Sequence, residues 1–383
     1  MSIIHPILIK KGEKPPVPGT GHRLRFYDYD GTLLKTQYVA SGGTAIAPTL
    51  PDYSVATADR PALIFQAWNN SLYNIQRDID FGAIYKTYDD KTYLYMEFTP
   101  TTGKSPTLYI NKTDTTSLTV DWGDTTVETN TTNGNTTLTH TYAEYGKYTI
   151  KIYIEGTANV KWKIGQNASS TTLFGDTGNT YSPCLKALYI GGNISTIQNY
   201  GLSYCSSLTK LTMPTLVNTL GIYALRNCYG LEFFIGLYLA TTTPKGLFYY
   251  CYGLKKVILS SNYTALADDT FLYCVGLEEV FLPTGLLTIG KEPFNYCRNL
   301  KKIVIPSSVA TLGDTVFNEC VNMTEYIFLP TTTPTIGIDI FKVINLGCKI
   351  YVPDANLDDY KTAINWDVYA DYIYPLSEFE EVE

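Results

Sequence analysis

Charge is scarce in this chain. Lys, Arg, Asp and Glu make up 17% of its 383 residues, against about 25% in an average soluble protein, and they leave a formal net charge of −7. Nucleic acid or an anionic membrane surface would call for a basic face, so neither is expected as a partner. Histidine is almost missing. His5, His22 and His140 stand far apart, and none has a Cys or a second His at ligand spacing. The eight cysteines include no CxxC pair, which argues against a zinc framework. No apolar run reaches the roughly 18 residues of a membrane span, so no membrane insertion is expected. The stretch Met1 to Pro18, MSIIHPILIKKGEKPPVP, is too short in its apolar part and lacks the small-residue cleavage site of a signal peptide.

Aromatic and β-forming residues, by contrast, are plentiful. Aromatics make up 14%, and 33 residues are Tyr. Tyr and Thr suit pleated, half-buried surfaces, and the length allows two to four domains. The expected class is therefore a mainly β, multi-domain protein.

The cysteines carry a period. Cys205, Cys228, Cys251, Cys274, Cys297 and Cys320 recur with a constant 23-residue spacing. Three residues before each stand Leu202, Leu225, Phe248, Phe271, Phe294 and Phe317. Three after each stand five Leu and Met323. Apolar residues recur at plus six, from Leu211 to Tyr326, and at plus eight, from Met213 to Phe328, where only Gly236 breaks the column. Alternation at plus six and plus eight is the two-residue period of a strand with one buried face. One such repeat cannot bury its own columns, so the six must stack into a solenoid. The cysteines read best as small apolar fillers of one layer position, although stacked neighbours could come within disulfide range. On that reading Cys274→Ser costs roughly 1–3 kcal/mol, because it buries a hydroxyl with no assured partner.

The FxxCxxLxxVxLP template resembles the BspA-like leucine-rich repeats of surface proteins from gut and oral bacteria and some of their phages. The resemblance covers about Cys184 to Pro353. The segment from Lys349-Ile350-Tyr351-Val352-Pro353 through Asn365-Trp366 to Pro375-Leu376 is similar to that family's closing segment, and implies a cap.

Between the buried columns, alternate strand residues point to the other face. At plus five, Lys256, Glu279, Lys302 and Glu325 alternate in sign and should form an exposed ion-pair ladder worth about 0–1 kcal/mol per contact. At plus seven stand Ile235, Ile258, Phe281, Val304 and Ile327. This apolar row is either β propensity or a partner-binding surface, and those five residues are the candidate binding site.

Two modules precede the repeats. Val120-Asp121-Trp122-Gly123-Asp124, His140-Thr141-Tyr142 and Gly146-Lys147-Tyr148-Thr149-Ile150 resemble a polycystic-kidney-disease (PKD) domain, which implies an immunoglobulin-like β-sandwich. Thr125 departs from the family's second Gly. Asp121 and Asp124 fit a turn, with calcium as the alternative. Upstream, Asp30-Gly31, Gly42-Gly43, Trp68 and Ile79 to Tyr85 resemble the β-grasp-like repeat of internalin-type surface proteins, with a longer insertion around Asp52 to Ala62. The expected layout is an extended arm at 1–21, a β-grasp-like domain at 22–88, a PKD-like sandwich at 89–160, the leucine-rich-repeat solenoid at 161–348 and a cap at 349–383. The arm, with Pro15, Pro16 and Pro18, reads as an anchor through Ile3, Ile4, Ile7, Leu8 and Ile9.

Asp28-Tyr29-Asp30-Gly31-Thr32 also matches the DxDGT nucleophile motif of haloacid-dehalogenase-type phosphatases. The next residues, Lys35 to Val39, then Gly42-Gly43 and Pro48, are strand and loop chemistry rather than the strand-to-helix passage such an enzyme needs. No catalytic residue, cofactor or metal is therefore expected. The resemblances imply a structural or adhesive display protein. With no export signal in view, the expected setting is the surface of a bacteriophage particle. The arm would dock on a capsid or tail protein and the solenoid would meet a host-surface protein or glycan. The alternative is a bacterial cell-surface adhesin or a glycan-binding accessory module. Magnesium-dependent turnover of phosphorylated small molecules should be absent; turnover that Asp28→Asn abolishes would make this chain an enzyme.

Overall fold

The computed structural model describes residues 21–75, 77–112, 115–154, 162–165, 172–175, 180–236 and 240–379. Its first module is a mixed four-stranded sheet. Strands β1 (His22–Tyr27) and β2 (Leu33–Val39) form a hairpin around the Asp30-Gly31 turn. Strands β3 (Leu63–Trp68) and β4 (Ile79–Thr87) are antiparallel, while β4 runs parallel to β1, giving the order β2-β1-β4-β3. A parallel pair needs a long crossover, which residues 40–62 supply as irregular chain together with β3. Strand β4 reads IDFGAIYKT and is buried along nearly its whole length. A strand this apolar has both faces covered. On one side Phe81 stacks on Phe26 at 4.6 Å, within a core containing Leu24, Ala45 and Ile75. Farther along the same face Ala83 and Tyr85 join Tyr29 in a cluster with Ala187 and Tyr189, residues far along the chain, while Gly82 on the opposite face looks towards Ile235 of the solenoid.

The next strands alternate cleanly, as in β5 (Thr92–Phe98), whose Leu94, Met96 and Phe98 face inward. With β6 (Thr107–Lys112), β7 (Leu118–Asp121), β8 (Val127–Asn130), β9 (Gly134–Thr139) and β10 (Gly146–Ile154) they make two antiparallel sheets around Trp122. Neither sheet stops there. Strands β11 (Trp162–Ile164), β12 (Leu185–Tyr189), β13 (Ile194–Ile197), β14 (Lys210–Leu211) and β15 (Thr219–Leu220) belong to the first solenoid turns. One sheet runs β14-β12-β5-β10-β7-β8 and the other β15-β13-β11-β6-β9. The joints are antiparallel, Leu188 opposite Leu94 and Ile164 opposite Ile110. The sandwich thus closes the open end of the solenoid by continuing both of its sheets, and one core runs from Leu94 to Ile373.

Later turns lay front strands on one another in parallel register, in two runs. Phe234, Val257 and Val280 align, as do Ile303, Tyr326 and Ile350. A second strand per turn, unread in the repeat template, forms a back sheet through Leu266, Ile289, Leu312 and Ile336. Between the two sheets the phenylalanines stack. Phe248, Phe271, Phe294, Phe317 and Phe341 follow one another at 5.4 to 5.7 Å with interplanar angles of 2° to 14°.

All eight cysteines are buried and none is in a disulfide. They are more than apolar filler. The thiols of Cys228, Cys251, Cys274, Cys297 and Cys320 each donate to a carbonyl 26 residues back, at 3.0 to 3.3 Å. Burial pushes the thiols up, Cys251 to about 12 and Cys274 well above its ordinary value, so they stay protonated donors. The residue before each repeat cysteine, from Tyr204 to Glu319, has φ between +58° and +65°. For an L-residue this costs about 1–2 kcal/mol. It turns backbone N–H groups along the stack, where Tyr250 donates to Leu272 O and Tyr273 to Asn295 O at 2.9 and 3.0 Å. At the far end, Trp366 is fully buried and donates to Pro334 O at 2.8 Å, and Tyr360 donates to Pro330 O at 2.8 Å.

The sequence layout places the modules one after another along the chain. In space the first module folds back over the front sheet. Strand β4 lies on the strands Phe233–Ile235 and Lys256–Ile258, so close that a Cβ at Gly82 would meet Ile235 at 2.6 Å. Arg77 donates to Leu282 O at 2.8 Å, and the Thr215 and Ser261 amides donate to Gln66 and Asn70 at 2.9 and 2.7 Å. Cys274→Ala should lower stability by about 1–3 kcal/mol in urea denaturation, from the lost sulfur volume and thiol bond. Cys274→Ser should cost less than Cys274→Ala, because Phe248 O awaits the hydroxyl and buried Ser182 already fills this column one turn before Cys205.

Candidate binding surface

The plus-seven row lies on the front sheet's outer side, and the fold deals with it unevenly. Ile235 and Ile258 are buried, Ile258 at 1% exposure, beneath β4 and the Asn69-Asn70 corner. Ile327 is buried too, at 4%. Its neighbour Tyr351 packs on Phe379 at 5.2 Å, and the Lys302 ammonium sits 4.5 Å from the same ring, so the C-terminal segment lies over this end. The expectation of five exposed apolar residues is corrected: only Val304, 39% exposed, and half-buried Phe281 look outward. The other three, Ile235, Ile258 and Ile327, are internal packing residues. Nothing in the repeat template announces this, since the cover over the first two comes from β4, near the other end of the chain.

The plus-five row is aligned as expected, with Lys256 beside Glu279 and Lys302 beside Glu325. Its setting differs. Lys256 and Glu279 lie in the seam with β1 and β4, where Asp80 is 3% exposed. Lys256 Nζ stands 2.5 Å from Asp80, 2.6 Å from Glu279 and 2.7 Å from the Tyr27 hydroxyl. Arg25 grips Asp80 with two nitrogens at 2.9 and 3.1 Å and reaches Glu279 at 2.5 Å. Burial raises the Glu279 carboxyl, but Lys256 and Arg25 more than offset that and hold it below the usual carboxylate range. Two cations and two carboxylates thus neutralise one another inside an interface, which a surface ladder does not.

The DxDGT segment is structural at its first aspartate. Asp28 is 1% exposed, accepts from the Tyr29 amide at 2.8 Å and from the Tyr53 hydroxyl, and is pushed up by burial. Asp30 caps the hairpin turn by accepting from the Thr32 amide at 3.1 Å. It also lines, with Glu232 and Phe233, a cleft of about 190 Å³ between the hairpin and the solenoid. Asp28 does not point there together with Asp30 as a nucleophile pair would. Asp121 and Asp124 are occupied by Lys151 at 3.0 Å and His140 at 2.7 Å, and no metal-holding cluster occurs among the described residues. The anchor candidates Ile3, Ile4, Ile7, Leu8 and Ile9 lie outside the described residues. Among those described, no helix is long and apolar enough to cross a membrane.

Parallel turns in a 23-residue register, with a front strand, a back strand and a phenylalanine spine, define a leucine-rich-repeat solenoid. The chain belongs to the BspA type leucine rich repeat family, whose repeat region matches residues 169–239 and 241–362 in six copies, just over half of the sequence. Solved structures similar to it include a leucine-rich repeat protein from Bacteroides ovatus, 24% identical over 43% of this chain and 48% of that one, with a TM-score of 0.36. Another, from Eubacterium ventriosum, is 22% identical over 48% and 50%, with a TM-score of 0.32. A leucine rich cell surface protein from Faecalibacterium prausnitzii is 16% identical over 52% and 74%, with a TM-score of 0.28. The match spans about half the length of the first two. No curated protein matches the chain.

Asp80→Asn should loosen the first module by about 3–5 kcal/mol, since it leaves Arg25 and Lys256 in a seam with too little negative charge. Faster amide exchange in β4 than in the solenoid strands would report it. Because the Glu279 pKa is depressed on folding, its contribution is present above the unfolded carboxylate value of about 4.3 and fades as pH falls through the lower folded value. The protection factors of β4 amides, which are exchange rates corrected for the pH-dependent intrinsic rate, should therefore drop below about pH 4.

Proposed function

We propose that this chain is a non-enzymatic display protein: a rigid β body that presents a binding surface on the outside of a particle. The observation that carries the reading is the single core from Leu94 to Ile373, to which the first module is locked by buried charge. Such a body holds a surface in fixed orientation, which favours binding through lower ordering cost. Among the described residues, Asp28, Asp30, Asp80, Asp121, Asp124 and Glu279 are engaged in turns and pairs.

The modules are read as domains of display proteins. The sandwich is read as PKD-like because its three motifs converge: Trp122 stacks on His140 at 5.0 Å, the Tyr142 hydroxyl donates to Trp122 O at 2.7 Å, and Tyr148 stacks on Tyr142 at 3.9 Å. The first module is read as β-grasp-like from its β2-β1-β4-β3 order with a parallel central pair, although irregular chain replaces a helix across the sheet.

The particle proposed is a bacteriophage virion, with residues 1–20 as the anchor on a capsid or tail protein and the solenoid turned towards host or mucosal material. Support comes from composition: five apolar residues from Ile3 to Ile9 precede Pro15, Pro16 and Pro18, a pattern suited to ordering on a partner. A bacterial cell-surface adhesin is the second reading, favoured by the family's repeats. A protein lacking residues 1–20 should keep the full-length melting temperature yet fail to join particles when supplied in place of the full chain. Assembly at full occupancy would remove the arm as anchor, and absence of the full-length protein from purified virions would remove the virion reading.

A further inference from the structure

The turn edge of the solenoid, opposite neither sheet but between them, carries a column of tyrosines. Tyr250, Tyr273 and Tyr296 stack at 4.7 and 4.3 Å. Rings paired this closely hide their faces and show only their edges. One turn before Tyr250 the column is interrupted by Asn227, which follows Arg226. Arg226 sits among three rings drawn from three successive turns, its guanidinium carbon 5.6 Å from Tyr204, 5.6 Å from Tyr223 and 5.2 Å from Tyr249. Stacked cation and ring systems of this kind hold a guanidinium flat and leave its N–H edge free to grip a planar anion.

Three further observations point to a ligand. First, Arg226 takes part in no ion pair among the described residues, and its Nε is buried without a hydrogen-bond partner. Asp269, an acid on the same edge, is held by Lys245 at 3.3 Å. Second, the adjoining Asn227 is 6% exposed, and its Oδ1 is likewise buried without a partner. A buried donor and a buried acceptor left unmatched on adjoining residues are costly unless something completes them. Third, Tyr229 next to this pair is 42% exposed and stacks on Tyr252 at 5.2 Å with one face. At the same position one turn earlier stands Ser206, so no ring occupies that place in the stack.

We propose that Arg226, with Asn227 and the rings of Tyr204, Tyr223, Tyr229 and Tyr249, is a subsite for a carboxylate-bearing sugar of an acidic glycan. The carboxylate pairs with the guanidinium edge, Asn227 completes a hydroxyl hydrogen bond, and the pyranose lies against the open face of Tyr229. Phenol hydroxyls around the rim suit a polyhydroxylated ligand better than an apolar one. This gives a chemical class to the displayed surface, so it rests on the binding-protein reading but not on the identity of the particle.

The test uses the full-length protein, titrated by calorimetry or protein-observed NMR with a glucuronic-acid-terminated oligosaccharide and with the same oligosaccharide reduced to glucose at that end. Binding of the acidic form alone is expected, weakened about tenfold or more by Arg226→Gln, as loss of a charge-assisted pair demands, and by Tyr229→Ala. Arg226→Lys should rescue only part, because an ammonium lacks the planar fork. Thermal midpoints of the variants separate lost binding from lost folding, and exposed Tyr229 keeps the test open if Arg226→Gln fails to fold. Equal binding of the neutral sugar, undiminished binding by folded Arg226→Gln, or equal competition by simple acetate would overturn the proposal. An acidic peptide binding here in place of the sugar would overturn it as well. Any of these leaves particle attachment through residues 1–20 unaffected.

Discussion

A single solenoid turn is too thin to shield its own apolar side chains, and the rest of this molecule depends on that. Each turn brings one Phe or Leu, one Cys and two short strands, and none of these is buried until the next turn arrives. The stack meets that need with three backbone ladders and a phenylalanine spine at 5.4 to 5.7 Å spacing. The left-handed residues on the cysteine side are strained individually and tolerated because they aim N–H groups at the next turn. The same constraint makes the ends dangerous, since an open solenoid end is a raw core and two raw sheet edges. One end is closed by antiparallel strands that continue both sheets, the other by the Trp366 segment.

A solenoid's front sheet still has an outer side, and here the chain supplies its own first ligand for it. Strand β4 is apolar on both faces, so it needs two cores. Its own module and the aromatic cluster at Tyr189 cover one face, and the front sheet at Ile235 covers the other. Buried charge fixes the fit, because Asp80 and Glu279 are satisfied only when Arg25 and Lys256 come together from opposite sides of the seam. The consequence for function is that the face other readings of the repeat would make a binding surface is half closed. The apolar residues of that face still in contact with water are Val304 and half-buried Phe281.

The repeat column is legible because it is periodic: Cys, Phe, Leu and the alternating strand pair recur at fixed offsets. Their burial and their register need only the rule that one strand face is buried. The back strand is harder, since two residues such as Thr288-Ile289 carry too little pattern to stand out. Cys reads as filler because sequence shows side-chain size and not the carbonyl, one turn earlier in the stack, that accepts its hydrogen bond.

What the sequence by itself determined is everything that depends on residues at constant separation: the solenoid, its period, the inward columns and the line of charges from Lys256 to Glu325. Only the tertiary structure decided which side of those strands meets water. Ile258 and Val304 occupy equivalent positions in the repeat, yet one is 1% and the other 39% exposed. The difference comes from a strand near the chain's start that returns to cover the first and not the second. An offset within a repeat carries no information about contacts between such distant parts of the chain, as where Asn69 reaches the carbonyl of Ile258.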